Sequence, residues 1–307
     1  MTLNSERFYG LMACLCSEFR ADGTLDEELQ GENAQKLAQT GTHGIYCLGA
    51  TGEGYNVTDD EFQRIVDVFI DNVPDSIVRI VGCFSPSLNQ VLERVRYAEA
   101  RGADAVLFIP PYFVPLNQKE RLDSFEIVAS ACPNIGIIHY NTGNAGNVKL
   151  GADDYAKLQN IPNFWGSKQS FISFEDWMEY GRRSPNIVHM PLDGIFVPTM
   201  MYGGRGIFTE LPALSPNFAM ELWNACIEKD WETAVAMHTY WQRFGAEVYT
   251  ALWQKGYSYI ALDKFFYNLA GLMRTLPPRP PLQAVPDELT AEIRAQVEKK
   301  YSELLYA

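Results

Sequence analysis

The sequence predicts an α/β fold, a (β/α)8 TIM barrel with a C-terminal helical extension. Short apolar runs rich in Val, Ile and Phe alternate with amphipathic helical stretches from residue 7 to about residue 225. This unit occurs eight times, which matches a barrel, whereas a doubly wound sheet more often has fewer strands and a dinucleotide loop after the first. The rest of the chain carries helical patterns without intervening strands.

Each predicted strand is an apolar run bounded by Gly, Pro or Asn turns. In chain order the predicted strands cover residues 10–16, 44–48, 78–82, 105–109, 136–140, 164–168, 187–190 and 206–209. The helical stretches between them carry apolar residues at i, i+3 or i+4 and i+7, often after a Thr, Ser or Asp cap. We therefore expect a barrel catalytic domain at 1–225 and a helical domain at 226–307.

Composition and charge exclude several function classes. The chain has 307 residues, of which 25 are Lys or Arg and 38 are Asp or Glu, so its formal net charge is −13. A nucleic-acid partner or an anionic membrane surface needs a basic face, which this chain lacks. The N-terminus has no signal-peptide pattern, and the six cysteines are scattered, mostly in apolar runs, as is usual in a reducing compartment. We expect a cytoplasmic protein.

One lysine stands out by its position. Of the ten lysines only Lys168 ends a predicted strand, while the other nine lie on predicted helix faces, in turns or in the charged tail. Active sites of this fold lie at the C-terminal ends of the strands. A lysine in an apolar barrel mouth is desolvated, which lowers its pKa and leaves part of the amine neutral, as Schiff-base formation with a carbonyl requires. The alternative is a rim lysine whose ammonium lies in water or pairs with an acid.

Tyr140 ends the preceding predicted strand, where a phenol can relay protons for a neighbouring lysine. Taken by itself, its position favours a rim tyrosine with a satisfied hydroxyl. His139 should point the opposite way along the strand, toward the helices, and is expected to be structural.

The loop after the second strand reads GATGEG, residues 49–54. Its glycines allow backbone N–H groups to converge on an anion, with the Thr51 hydroxyl as a further donor, although a tight turn without a ligand is the alternative. The pattern is not G-x-G-x-x-G, so dinucleotide binding has weak support. We expect no metal, because the first strand ends in Cys14-Leu15-Cys16 rather than His-x-His and the four histidines are separated.

Together these motifs resemble the dihydrodipicolinate synthase and N-acetylneuraminate lyase superfamily of class I pyruvate aldolases. The resemblance rests on five motifs in register: Gly49-Ala50-Thr51-Gly52-Glu53, Pro110-Pro111-Tyr112, Tyr140-Asn141, Gly166-Ser167-Lys168 and Gly203-Gly204-Arg205-Gly206. It implies that Lys168 forms an imine with pyruvate or another 2-oxo acid, that Tyr140 is the acid/base, and that no cofactor besides this covalent imine is needed. It also implies a homotetramer in which Tyr112 and Phe113 lie near a neighbouring subunit. The substrate-binding residues expected from it are Ala50, Thr51, Gly52, Tyr112, Phe113, Asn141, Ser170, Asp193 and Ile207.

Several departures from the family pattern bear on the substrate. Ala50 and Phe113 stand where a second hydroxyl residue and a second tyrosine are common, and residues 142–147 contain no arginine, so the lysine-biosynthesis reaction is disfavoured. Gly194 stands where the sialic-acid branch has an acid, although Asp193 remains. A pocket lined by Ala50, Phe113, Phe171, Ile195 and Phe196 would favour an apolar or aromatic aldehyde.

The leading interpretation is a lyase that cleaves or forms a carbon–carbon bond between pyruvate, or a related 2-oxo acid, and an aldehyde, in the manner of the hydratase-aldolases. The segment Arg279-Pro280-Pro281 with Val285-Pro286 also resembles that branch. A deoxy-keto-sugar-acid dehydratase is the alternative, because residues 140–145 match the YN-x-x-NA sequence of that branch. A catalytically lapsed barrel that binds a small acid is an alternative from another class.

Overall fold

A computed structural model describes residues 5–143 and 149–306, and within these ranges the predicted barrel is confirmed. The parallel strands are β1 (Gly10–Cys14), β2 (Gly44–Cys47), β3 (Val78–Cys83), β4 (Ala105–Phe108), β5 (Gly136–Asn141), β6 (Phe164–Gln169), β7 (Val188–Pro191) and β8 (Gly206–Thr209). From β1 to β7 each strand pairs with the next one in the chain, and β8 pairs with β1. β7 and β8 lie side by side without a described hydrogen-bond ladder, so the barrel is nearly closed.

The helices cover the outside of the strands and continue beyond them as the predicted extension. They are α1 (Glu27–Ala38), α2 (Asp59–Asn72), α3 (Leu88–Arg101), α4 (Gln118–Ala131), α5 (Ala152–Leu158), α6 (Phe174–Arg183), α7 (Phe196–Met201), α8 (Leu211–Leu214), α9 (Pro216–Glu228), α10 (Trp231–Phe244), α11 (Thr250–Trp253), α12 (Tyr259–Ala270) and α13 (Asp287–Lys300). Local capping explains where some begin: Thr58 and Glu61 form a reciprocal capping box at the start of α2. No helix in the described ranges is long and apolar enough to cross a membrane.

Side chains of the strands alternate between two hydrophobic layers. Met12 and Tyr46 belong to the cluster inside the barrel, whereas Leu11 and Ile45 belong to the larger cluster between strands and helices. His139 points outward as predicted, and its Nδ1 lies 2.9 Å from the hydroxyl of Tyr155 on α5. The interior layer therefore decides which strand residues can reach the barrel mouth.

A break in the pairing of β5 with β6 sets the orientation of β6. Ile137 pairs with Phe164 but Ile138 pairs with Gly166, so Trp165 is an extra residue in β6. Its indole lies over Gly136, where an added Cβ would come within 2.3 Å of the ring. A single inserted residue reverses the inward and outward faces of everything that follows it. Lys168 consequently points into the barrel.

Candidate active site

Lys168 lies inside the barrel near the C-terminal end of β6 and is 5% exposed. Its Nζ donates a hydrogen bond to the Tyr46 hydroxyl at 3.0 Å. The ring centroids of Tyr46, Tyr140 and Phe208 lie 4.3, 4.6 and 5.0 Å from the same nitrogen. Burial lowers the pKa of the Lys168 amine, while acidic groups around the site oppose that shift. The amine thus stands in an aromatic cage with one phenol in contact.

Tyr140 reaches the site from β5, in register with Lys168 on β6. Its ring packs against Phe84 with centroids 5.7 Å apart. Burial raises the pKa of Tyr140 to about 12, while hydrogen bonds with Ser170 and Thr142 oppose the rise. Tyr140 is therefore a neutral phenol at neutral pH, and Ser170 is placed beside its hydroxyl.

Tyr46 and Glu210 are two site residues that no sequence motif marked. Tyr46 comes from the middle of β2, and its hydroxyl donates to Glu210 Oε1 at 3.4 Å. The hydroxyl of Tyr267 on α12 donates to the other oxygen of the same carboxyl. Burial raises the pKa of Glu210, and hydrogen bonds from Tyr267 and the charge of Lys168 oppose the rise. Glu210 directly follows β8, so the strand-end criterion applied to lysines would also have found this acid.

Thr51 is buried in the loop after β2, and its hydroxyl donates to Asp263 Oδ2 at 2.9 Å. The other oxygen of Asp263, Oδ1, accepts from the Tyr249 hydroxyl at 2.8 Å. Burial and the nearby charge of Glu210 raise the pKa of Asp263, and these two donors oppose the rise. Asp263 lies on α12, so the C-terminal extension supplies part of the barrel mouth.

The GATGEG loop is held by close backbone packing. Leu48 has a left-handed φ of 54°, and its carbonyl oxygen would lie 2.0 Å from a Cβ at either Gly54 or Gly82. Both glycines are therefore required by this approach. The Glu53 and Gly54 amides donate back to the carbonyls of Ala50 and Gly49 at 3.0 and 3.1 Å.

The loop nevertheless keeps backbone donors for an anion. Within the described ranges, the amides of Ala50, Thr51 and Gly52 donate no hydrogen bond to another backbone group. Ala50 packs against the interior cluster, and Gly52 accepts a hydrogen bond from Ser17 Oγ at 2.6 Å through its carbonyl. These amides can hold a carboxylate beside Lys168.

Lys264 lies on the helix α12 and is a second buried lysine. Its Nζ donates to the Ser17 carbonyl at 2.6 Å and pairs with Glu53 Oε1 at 3.1 Å. Glu53 Oε2 also accepts from the Arg279 amide at 2.9 Å. The ion pair with Glu53 ties Lys264, and with it α12, to the GATGEG loop. Lys168 differs, because its hydrogen-bond partner is the phenol of Tyr46.

Three further predicted residues lie around the mouth. Tyr112 is half-buried against the interior cluster, whereas the neighbouring Phe113 is 83% exposed. Asp193 follows β7, and its Oδ1 accepts from the Thr209 hydroxyl at 2.7 Å. Burial raises the pKa of Asp193 to about 7.

The structure does not bring Asn141 and Ile207 to the site. The side-chain Nδ2 of Asn141 donates to the Leu150 carbonyl at 3.1 Å and to Gln169 Oε1 at 2.7 Å. Its Oδ1 accepts from the Leu150 amide at 3.1 Å. Ile207 belongs to the layer between strands and helices, and the next residue, Phe208, faces Lys168 instead. Strand alternation explains both placements. Residues 144–147, which include the Asn-Ala pair and most of the segment lacking arginine, lie outside the described residues.

All six cysteines are buried with free thiols. Within the described ranges, no three His, Cys, Asp or Glu side chains form a group that could hold a metal ion. The groups that the structure places around the Lys168 amine are the Cys14 thiol, the phenols of Tyr46 and Tyr140, and the carboxyls of Asp193, Glu210 and Asp263.

Comparisons with known proteins agree on one family. The model of the dihydrodipicolinate synthetase family matches residues 7–300. A 4-hydroxy-tetrahydrodipicolinate synthase of Haloarcula marismortui is 29% identical over 75% of this chain and 76% of its own. The corresponding protein of Methanopyrus kandleri is 27% identical over 94% of this chain and 95% of its own.

Solved structures share the fold. PhdJ bound to a substrate intermediate superposes with a TM-score of 0.87 and 21% identity, covering 100% of both chains. Wild-type sialic acid aldolase of Ruminococcus gnavus superposes with a TM-score of 0.86 and 17% identity, covering 97% of this chain and 100% of its own. The chain thus belongs to the dihydrodipicolinate synthetase family, in the superfamily of pyruvate-dependent lyases and aldolases that form a Schiff base on a lysine and use no external cofactor.

Proposed function

We propose that this chain is a class I lyase that forms or cleaves a carbon–carbon bond between pyruvate, or a related 2-oxo acid, and an aldehyde. The observation that carries the proposal is the Lys168 amine, buried in the barrel mouth among three aromatic rings with a phenol as its hydrogen-bond partner. Burial away from water lowers the pKa of this amine and so favours its neutral, nucleophilic form.

In the proposed reaction, Lys168 attacks the keto carbon and water leaves to give a protonated imine. This cation withdraws electrons from C3, so that an aldehyde or a proton can depart from C3 and leave an enamine. Tyr140, whose ring lies 4.6 Å from Nζ, is the acid/base that moves the proton of the aldehyde oxygen. Ser170 orients the Tyr140 hydroxyl.

The carboxylate of the 2-oxo acid is proposed to bind at the amides of Ala50, Thr51 and Gly52. The Thr51 hydroxyl contributes a donor only when Asp263 is protonated, because an ionised Asp263 accepts the single Thr51 hydrogen. Binding of an anionic donor substrate is therefore linked to proton uptake at Asp263.

The aldehyde is proposed to be apolar or aromatic, as in the hydratase-aldolase branch. Phe113 follows β4 and Phe171 follows β6, so both belong to loops at the same end of the barrel as Lys168. The two phenyl rings are 83% and 81% exposed, and a ring that packs against them would bury apolar surface.

A deoxy-keto-sugar-acid dehydratase is a second candidate. Asp193 and Glu210 place carboxyl oxygens near Lys168, where they can accept hydrogen bonds from sugar hydroxyls. This reaction uses the same imine but breaks a carbon–oxygen bond.

Borohydride reduction in the presence of pyruvate should add one covalent adduct to the wild-type chain. The adduct should be absent from Lys168→Ala, because the nucleophile is lost, and retained in Lys119→Ala, which changes an exposed lysine on α4. Intact-mass measurement with peptide mapping checks this. An adduct that persists in Lys168→Ala, or that maps to Lys264, would contradict the assignment. Failure of wild type to exchange the C3 protons of pyruvate in D2O would instead favour a catalytically lapsed barrel.

A panel of acceptors should separate the two candidate reactions. With pyruvate as the first substrate, we expect kcat/KM to be at least about tenfold higher for aromatic aldehydes than for hydroxylated aldehydes of similar size. The reason is that an aromatic aldehyde can pack against the exposed rings of Phe113 and Phe171. Phe171→Ala should reduce the rate with aromatic aldehydes about tenfold and leave that with hydroxylated ones unchanged. Water release from a deoxy-keto-sugar acid, with no reaction of aromatic aldehydes, would select the dehydratase.

Asp263→Asn should change how pyruvate binding depends on pH. Below the raised pKa of Asp263 both proteins carry a neutral group, so their dissociation constants should agree. Above it the wild-type carboxylate repels the substrate and takes the Thr51 hydrogen, so the ratio of wild-type to variant dissociation constants should rise with pH to about tenfold, or about 1.4 kcal/mol.

Trapped adduct measured against pyruvate concentration between pH 6 and 9 checks this expectation. Lys168 and Glu210 also face Asp263. Wild type and Asp263→Asn both retain these residues, so their titration should change the two dissociation constants alike. Tyr249→Phe removes a donor to the carboxylate and should move the rise to higher pH. A ratio that stays constant with pH would contradict the linkage.

We also propose the homotetramer that the family resemblance implies. Phe113 and the adjacent Val114 are 83% and 65% exposed, and a neighbouring subunit would cover them. Sedimentation equilibrium should give four times the monomer mass, and Phe113→Asp should reduce it. A wild-type protein that sediments as a monomer would contradict the proposal.

A further inference from the structure

The hydrogen bond of the Lys168 amine leads through a phenol to a carboxyl. Within residues 5–143 and 149–306, the hydrogen-bond partner that the structure gives Nζ is the Tyr46 hydroxyl at 3.0 Å. The Tyr46 hydroxyl in turn donates to Glu210 Oε1 at 3.4 Å, and Tyr267 donates to Glu210 Oε2. These contacts form a continuous chain from the amine through a phenol to a carboxyl.

The same chain passes through the barrel interior. Tyr46 belongs to the interior cluster and is 2% exposed, and its ring packs edge-on against Phe208 at 5.3 Å. Burial raises the pKa of Tyr46, so the phenol stays neutral. A neutral hydroxyl passes protons by accepting one while giving up its own.

Proton transfer along this chain exchanges two buried charges for two neutral groups. With Lys168 as ammonium and Glu210 as carboxylate, an ion pair lies in an apolar interior and each partner loses hydration. Moving one proton from Nζ to the Tyr46 oxygen, and the Tyr46 proton to Glu210, leaves a neutral amine and a carboxylic acid. Desolvation brings that neutral pair closer in free energy to the ion pair, because it lowers the pKa of Lys168 and raises that of Glu210.

We propose that Tyr46 and Glu210 are the proton path of Lys168, in place of the two hydroxyl residues that the family commonly has at the positions of Ala50 and Phe113. Tyr46 touches the reacting amine and is the catalytic residue of the path. Glu210 acts through Tyr46 and is a positioning residue that stores the proton. This inference rests on the proposed function of Lys168 as the imine-forming nucleophile.

The steps balance without any added reactant. Transfer of the ammonium proton to Glu210 frees the amine, which attacks the keto carbon of the 2-oxo acid. The carbon–oxygen π bond opens, and one proton moves from the nitrogen to that oxygen to give the carbinolamine. Glu210 then returns that proton through Tyr46 to the carbinolamine hydroxyl, the C–O bond breaks, and water leaves. The product is a protonated imine beside a Glu210 carboxylate, so the new cation has its counter-charge in place.

Tyr140 has a separate task under this scheme. Its ring also faces Nζ, but its hydroxyl is engaged with Ser170 and Thr142. Tyr46 therefore serves imine formation, and Tyr140 serves the step at the aldehyde oxygen.

The test compares Tyr46→Phe, Glu210→Gln and Glu210→Asp with Tyr97→Phe. Tyr97 is the matched control, because its hydroxyl also donates to a carboxylate, Asp67 Oδ1 at 2.7 Å, but on α2 and α3 outside the barrel. The first measurement is the pH dependence of trace acetylation of Lys168, followed by peptide mass spectrometry. The second is the initial rate at which the pyruvate adduct is trapped by borohydride.

We expect Glu210→Gln to move the acetylation midpoint of Lys168 about one pH unit lower, because the ammonium loses its counter-charge. Glu210→Asp should restore most of this shift, and Tyr97→Phe should leave it unchanged. Trapping should slow about 100-fold in Tyr46→Phe and in Glu210→Gln. Besides Glu210, the groups that face Nζ are Cys14, Tyr46, Tyr140, Asp193 and Asp263, and all of them remain in the Glu210 variants.

The outcomes separate the two proposals. A normal wild-type adduct with an unmoved midpoint and unchanged trapping rates in Tyr46→Phe and Glu210→Gln would overturn the proton path and leave the proposed function standing. A shifted midpoint in a wild-type chain that traps no 2-oxo acid would overturn the proposed function, while the coupling of Lys168 to Glu210 would be upheld. Equal slowing in Glu210→Gln and Glu210→Asp, with no midpoint shift in either, would assign Glu210 a packing role and overturn the path.

Discussion

The mouth of the barrel is organised around the free energy of placing a lysine amine among aromatic side chains. A charged ammonium there loses its hydration, so the surroundings must supply a hydrogen bond and a counter-charge or the proton must leave. Tyr46 supplies the hydrogen bond at 3.0 Å, Glu210 supplies the charge, and three ring faces contribute cation–π contacts. The same surroundings suit a neutral amine and a protonated imine, which is the pair of states that Schiff-base chemistry needs.

This arrangement depends on irregular backbone at two places. The extra residue Trp165 in β6 turns Lys168 inward, and Gly136 makes room for its indole. On the other side of the mouth, Leu48 adopts a left-handed conformation and its carbonyl packs against two glycines, which folds the loop after β2 tightly. The ion pair of Glu53 with Lys264 then ties this loop to α12, so the extension and the barrel form the site together.

The fold was predictable from the periodicity of apolar residues, and Lys168 and Tyr140 were predictable from their positions at the ends of strands. The alternation of strand and helix patterns predicts a barrel, and the strand-end criterion selects Lys168 and Tyr140. The roles of Tyr46 and Asp263 were not predictable. A tyrosine in an apolar strand looks like a core residue, and an acid in an amphipathic helix looks like a surface residue. Ile207 was predicted in place of Phe208, because a shift of one residue reverses the face of a strand.

The formal charge of −13 overstates how negative the mouth is. That sum counts every carboxyl as ionised, yet burial raises the pKa of Asp193 to about 7 and also raises those of Glu210 and Asp263. Three carboxyls around one amine can therefore share protons instead of presenting three charges. Under the proposed function, a substrate carboxylate would bind more readily when these carboxyls are protonated, so anion binding and proton uptake would be two parts of one equilibrium.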